Sequence, residues 1–129
     1  MSLFSTDGIT NLLQSFLDVQ SRRSEVIAGN IANADTPGFV AKELNFQDYL
    51  QEAARQSKLP QSKQDWQSLS SFSPTVTEQS PTVIGLDGNT VDAGREMADL
   101  AQTGTNFNFG AKMLQSRLRL LRTAIREGR

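Results

Sequence analysis

Residues 97–125, MADLAQTGTNFNFGAKMLQSRLRLLRTAI, decide the fold. Met97, Leu100, Gly104, Phe107, Ala111, Leu114, Leu118, Leu121 and Ile125 alternate by three and four, the a/d spacing of a coiled-coil helix. Phe109, Met113, Leu120 and Ala124 form a second stripe, offset from that seam. Asp92 suits the N-cap, and Glu96 places a negative charge in the first turn, where the helix dipole favours it. Gly104 and Gly110 each cost about 1 kcal/mol against Ala in a helix interior, so fraying is expected around residues 103–106. A helix with apolar residues on this many sides needs a partner.

The partner lies at the other end of the chain. Ile9, Leu12, Phe16, Val19, Arg23 and Val26 follow the same alternation, and Leu13 and Ile27 widen the stripe. A helix is expected over about residues 7–33, capped by Thr6 or Asp7. It must end before Pro37, which forces its predecessor out of helical geometry. Between the two helices, Asn45 can cap a short helix through Phe46, Tyr49, Leu50 and Ala53, ending near Gln56. Residues 57–81, with Pro60, Pro74, Pro81 and many Ser and Gln, offer too little apolar surface to offset their ordering entropy and read as loop. Trp66, Leu69 and Phe72 are the exceptions there, spaced by three and suited to docking on a partner. Residues 82–86 read as an extended stretch closing in a tight turn at Asp87-Gly88. The expected fold is all-α: terminal helices paired as an antiparallel coiled coil, with a largely irregular middle holding a short helix and a short extended turn. Residues 1–39 plus 86–129 would form the coiled-coil unit, and 40–85 a partly disordered connecting segment.

Composition removes most chemistries. With no Cys and no His among 129 residues, zinc fingers, disulfides, Ser-His-Asp or Cys-His pairs and imidazole proton shuttles are excluded. Asp87 and Asp92 have no nucleophile or proton donor placed beside them by the sequence, so no enzyme and no cofactor are expected. Thirteen Lys plus Arg balance 14 Asp plus Glu, but residues 112–129 alone carry six bases against Glu127. Arg117, Arg119, Arg122 and Arg126 do not share one helix face and have no interleaved aromatics, which argues against nucleic acid. No apolar run is long enough for a membrane span, and the N-terminus has no pattern of a cleavable secretory signal.

The most informative stretch is Asn30-Ile-Ala-Asn33-Ala-Asp35-Thr36-Pro37-Gly38-Phe39. Asn33 and Asp35 can bond nearby backbone, Pro37-Gly38 makes a tight turn, and Phe39 returns an anchor to the helices. With Arg22 and Arg23 before it, this string resembles the N-terminal signature of the bacterial flagellar rod and hook family, the axial proteins of the flagellum. Leu86-Asp-Gly-Asn-Thr-Val-Asp92, followed by Glu96-Met97 and the heptad helix, resembles the matching C-terminal motif of that family's rod members, and the short chain with no large central domain is most like those of the proximal rod. Thr103–Gly110 departs from the better helix-forming stretch usual there.

The resemblance implies a structural subunit of the basal-body rod. Its terminal helices would pack against copies of itself and other rod subunits, through Ile9, Leu12, Leu13, Phe16, Val19, Val26, Ile27, Met97, Leu100, Phe107, Leu114, Leu118, Leu121 and Ile125. Asn30, Asn33, Asp35, Thr36, Pro37, Gly38 and Phe39 would form the turn that stabilises this packing. The resemblance also implies contacts with membrane-ring and rod-adaptor components, and torque transmission across the periplasm. Export would run through the flagellar type III gate without a cleaved signal, with Phe46 and Leu50 as a gate-recognition element. A soluble coiled-coil adaptor or secretion chaperone is the competing reading of the same helices.

Overall fold

The computed structural model describes residues 8–128. Helix α1, Gly8–Ala32, matches the periodic N-terminal segment. The caps expected at Thr6 or Asp7 lie outside the described residues. At its other end Asn33 closes the helix twice: its backbone N–H donates to Gly29 O at 3.2 Å and its side-chain Nδ2 donates to the same oxygen at 2.8 Å. The same N–H also lies 3.1 Å from Asn30 O, so one residue serves two of the last carbonyls of the helix.

Helix α4, Ala93–Glu127, runs 35 residues without interruption. Asp92 caps it as expected, Oδ1 accepting from Arg95 N at 3.2 Å. The fraying expected near Gly104 and Gly110 does not occur, because contact with α1 holds that stretch. Gly110 lies so close to Phe16 and Leu17 that a Cβ there would come within 2.9 Å of the Phe16 ring. With Arg23 facing Asp99 and Asn30 bonded to Glu96, these contacts make the pair antiparallel.

The seam itself is displaced from the apolar heptads. The side of α4 turned to α1 is Glu96, Asp99, Thr103, Asn106, Gly110, Leu114 and Arg117, all buried or half-buried. This row also alternates by three and four, but most of it sits one residue before the apolar row, about 100° around the helix. Small residues at Thr103 and Gly110 let the two helices approach closely. In consequence Met97 is 62 % exposed, Leu118 51 % and Ile125 66 %, while Leu100, Phe107 and Leu121 are also exposed. Of the expected seam, Leu114 and Ala111 alone are half-buried.

The middle segment is more ordered than its composition suggests. It carries strand β1 (Lys42–Leu44), helix α2 (Phe46–Lys58, capped by Asn45), a 3₁₀ turn (Gln61–Lys63), helix α3 (Trp66–Ser70) and strand β2 (Val76–Glu78). The strands pair antiparallel with Lys42 opposite Glu78, Glu43 opposite Thr77 and Leu44 opposite Val76. Residues 82–86, expected to be extended, form no strand; they run as an irregular stretch into a turn. Residues 57–81 are not a loop because their few apolar side chains are spent on this chain. Leu69 is fully buried in a cluster with Val19, Leu44 and Tyr49, edged by Leu12, Phe16, Phe46, Ala53, Trp66 and Phe72. The Trp66 ring rests on Gly8, where a Cβ would come within 2.2 Å of it. The partner on which Trp66, Leu69 and Phe72 dock is α1 and its neighbours.

Candidate functional site

Where α1 ends and α4 begins, the two motifs of the sequence are clasped together. Asn89 is the pin. It is buried, its Nδ2 donates to Asn33 O at 2.9 Å and Thr36 O at 2.7 Å, and its Oδ1 accepts from Val91 N at 2.7 Å. The backbone adds Gly38 N to Asp87 O at 2.9 Å and Thr90 N to Phe39 O at 3.0 Å, and Thr90 Oγ1 accepts from Ala41 N at 2.9 Å. Gly38 and Gly88 have φ of +71° and +80°, and a Cβ on Gly88 would sit 3.7 Å from the Gly38 Cα. Both positions favour glycine because their backbone is left-handed.

Asn30 performs the second join. Its amide behaves as a strand would toward Lys42, accepting from the backbone N–H at 2.9 Å and donating to the carbonyl at 2.7 Å. The remaining amide hydrogen reaches Glu96 Oε2 at 3.0 Å. One side chain therefore ties α1, β1 and α4 together. Glu96 is fully buried beside a cavity of about 130 Å³ that Arg23, Glu43, Gln79, Arg95 and Asp99 also line. Asp99 spans the loose ion pairs there, 4.0 Å from Arg23 and 3.9 Å from Arg95. Among the described residues no group of acidic side chains is placed to hold a metal ion.

The turn residues divide by role. Asn30 and Asn33 are buried or half-buried and hold backbone, while Asp35, Thr36, Pro37 and Gly38 are exposed at the tip. Phe39 is half-buried, and the core aromatics are instead Tyr49 with Phe16, Phe46, Trp66 and Phe72. Tyr49 Oη lies 2.7 Å from Ser15 Oγ, and burial pushes this phenol above its usual range. The packing residues expected from the stripes also divide. Val19 and Ile27 are buried within the chain, and Leu12, Leu13, Phe16 and Val26 are half-buried. Ile9 is exposed, as are Met97, Leu100, Phe107, Leu118, Leu121 and Ile125. Phe46 lies edge-on to Phe16 at 6.3 Å and stacks on Tyr49 at 5.7 Å, whereas Leu50, one turn on, is exposed. The roles of Asn89, Thr90, Glu96 and Gly110 were not legible from residue type. The one signal was positional, since Asn89 and Thr90 lie inside the second motif.

The clasp joins the two stretches on which the family resemblance rests, and comparison with known proteins covers both. Residues 14–39 match the family model described as flagella basal body rod protein. The flagellar basal body rod protein FlgB of Aeromonas hydrophila is 33% identical over 126 residues, covering 95% of this chain and 96% of that protein. FlgB of Bacillus subtilis (strain 168) is 33% identical over 134 residues and covers 100% of both chains. FlgB of Salmonella typhimurium is 30% identical over 132 residues, covering 95% of this chain and 96% of its own length. Full-length similarity at this level, with the clasped motifs at both ends, means that the chain belongs to the flagellar basal body rod protein family and is a structural rod subunit, not an enzyme.

Proposed function

We propose that the outward apolar row of α4 is the surface through which this subunit packs against its neighbours in the proximal rod, and that torque crosses the periplasm through those contacts. The observation that carries this is the displaced seam. α1 takes the small and polar row of α4, and the row Met97, Leu100, Phe107, Leu118, Leu121, Ile125 is left on the surface. Contiguous exposed apolar rows of this length mark protein contacts. The clasp supports the reading from the other side: Asn30 and Asn89 fix the angle at which the terminal helices leave the turn, and a fixed angle is what a regular array requires.

The remaining parts of the reading follow the family. Partners are copies of this chain, other rod subunits, and membrane-ring and rod-adaptor components. Export runs through the flagellar type III gate without a cleaved signal, with Phe46 and Leu50 as the recognition element. Because Phe46 is packed on Phe16 and Tyr49, the gate would read this pair before the chain folds. Among the described residues no helix is long and apolar enough to cross a membrane.

Met97→Glu/Phe107→Glu tests the surface in a flagellated host deleted for its own copy. Both side chains are exposed, so at a dilution where the wild type is also monomeric the purified variant should keep wild-type helicity by circular dichroism, while the host loses swimming on soft agar. Wild-type motility would remove the row from the interface. A stable dimer retained in the cytoplasm, with basal bodies intact, would favour the adaptor reading instead.

A further inference from the structure

The two ends of the helix pair are unlike in charge and alike in greasiness. Gly110 sits on Phe16 and Leu17, so in an antiparallel pair rising equally along both helices α4 passes the level of Gly8 near about residue 118. From there to Glu127 it is exposed on all sides, with Leu118, Leu120, Leu121 and Ile125 between Arg119, Arg122 and Arg126. Residues 112–128 hold five bases and one acid. The clasp end is the reverse: residues 31–41 and 79–94 contain Asp35, Asp87 and Asp92 and no Lys or Arg, and Arg95, which reaches this end by donating to Thr82 Oγ1 at 3.0 Å, leaves the three carboxylates in excess.

At that acidic end Leu86 is completely exposed, with Val83 and Ile84 exposed beside it. Its position is held. Gly88 N donates to Gly85 O at 2.9 Å, Gly85 N to Asn89 O at 2.8 Å, and the next residue's carbonyl, Asp87 O, accepts from Gly38 N. A large apolar side chain whose backbone is already ordered loses little entropy on insertion into a partner, the property of an anchor residue.

Resting on the reading of this chain as a self-assembling rod subunit, we propose that the basic, leucine-rich end of α4 in one copy docks on the acidic turn at residues 82–92 of a second copy. Leu86 seats among Leu118, Leu121 and Ile125, and the carboxylates of Asp35, Asp87 and Asp92 face Arg119, Arg122 and Arg126. Because the two surfaces differ, the contact is head-to-tail and leaves each copy with one free surface for the next. Opposite signs at the two ends also reject the inverted, like-to-like pairing.

The head-to-tail geometry makes a prediction that lateral packing does not. Asp35→Lys/Val83→Lys/Asp87→Asn/Asp92→Asn makes the clasp end basic, while Asn at 87 and 92 keeps the side-chain oxygens that accept from Asn89 N and Arg95 N. Arg119→Glu/Arg122→Glu/Arg126→Glu makes the tail acidic. In sedimentation velocity on the full chain at low salt, each variant alone should self-associate at least about tenfold more weakly than wild type, and an equal mixture should recover most of the loss. Leu86→Ala, at a side chain fully exposed in the isolated chain, should weaken association by a similar factor, with circular dichroism unchanged at a dilution where both chains are monomeric. Unaltered association in any of the three variants would overturn the proposal. So would a mixture that stays dispersed while both chains are folded, or a wild-type chain that does not self-associate because another rod protein is the occupant. Loss of motility in Met97→Glu/Phe107→Glu together with any of those results would leave the rod-subunit surface standing and remove only the end-to-end contact.

Discussion

Asn89 and Tyr49 make similar numbers of hydrogen bonds and should respond very differently to losing them. Asn89→Ala leaves Asn33 O, Thr36 O and Val91 N without their side-chain partner at a part-buried site. The two carbonyls keep backbone donors, Thr36 N at 3.0 Å and Phe39 N at 3.2 Å, but Val91 N goes unmet, and with three bonds lost together a loss of about 2 kcal/mol is expected in urea unfolding. Tyr49→Phe removes one hydroxyl, but Ser15 Oγ keeps its bond to Leu12 O at 3.0 Å. Its loss should stay near ~1 kcal/mol. The Tyr49 phenol titrates above its ordinary value because burial disfavours the phenolate. Its contribution is therefore complete below pH about 10 and is lost as pH rises through the folded value. Glu52 behaves oppositely. Hydrogen bonds from Arg55 and Gln56 hold its carboxyl at about 2, so its stabilisation is present above the unfolded carboxylate range and disappears as pH falls toward 2. Solvent screens an i,i+3 pair this open, so it contributes little to stability, and the check is an NMR titration of Glu52 rather than a melting curve.

At the scale of the helix, the two glycines of α4 are opposite cases. Nothing lies within 4 Å of a Cβ placed on Gly104, whereas one on Gly110 meets the Phe16 ring at 2.9 Å. Gly104→Ala should stabilise the isolated chain by up to about 1 kcal/mol, the helix-propensity gain. Gly110→Ala should destabilise it, because the overlap forces Phe16 or the helix axis to move. Equal signs in thermal unfolding would mean that α1 and α4 do not approach at this point. The same glycines show what the sequence conveys and what it withholds. Propensity reads each as a weakness, and distinguishing a notch from an open site requires knowing which face meets α1. The existence of both long helices, the Asp92 and Asn45 caps and the stop before Pro37 are local matters, and periodicity and turn chemistry were enough for them. The seam was not legible, because two rows one residue apart both satisfy a three-four repeat. Hydrophobicity favours the row at Met97, while close approach and the Asn30–Glu96 bond select the other. Strands of three residues and a five-residue α3 carry too little pattern to be seen before the cluster around Leu69 is known. The clasp was half-visible: the motifs were, but the bond between Asn89 and the N-terminal turn spans 56 residues and leaves no local trace.

The molecule as a whole exposes more surface than a chain of its mass needs to. A compact monomer of 14.2 kDa has an accessible surface of roughly 6,800 Å² by the usual size scaling, and this chain has 8942 Å². The excess of about 2,100 Å² exceeds twice the ~800 Å² that one partner contributes to an ordinary stable interface. The outward row of α4, with Met97, Leu100, Phe107, Leu118, Leu121 and Ile125 exposed along it, offers apolar surface to more than one neighbour at once. The interior is correspondingly small, with Val19, Ile27, Ala41, Leu44, Tyr49 and Leu69 as the buried hydrophobic side chains among the described residues. Marginal stability in isolation follows, with association supplying the rest by mass action. Raising the concentration of the purified chain a hundredfold, from about 1 µM to about 100 µM, should therefore raise its midpoint of thermal unfolding and its helicity together. If association is linked to folding with a dissociation constant near the lower concentration, the gain approaches ~2.7 kcal/mol. The half of α4 beyond Gly110 should gain helicity most, since it has the least contact with α1. A single sharp transition at the same temperature at both concentrations, with full helicity throughout, would mean that the small core is sufficient and that the exposed row has no part in folding.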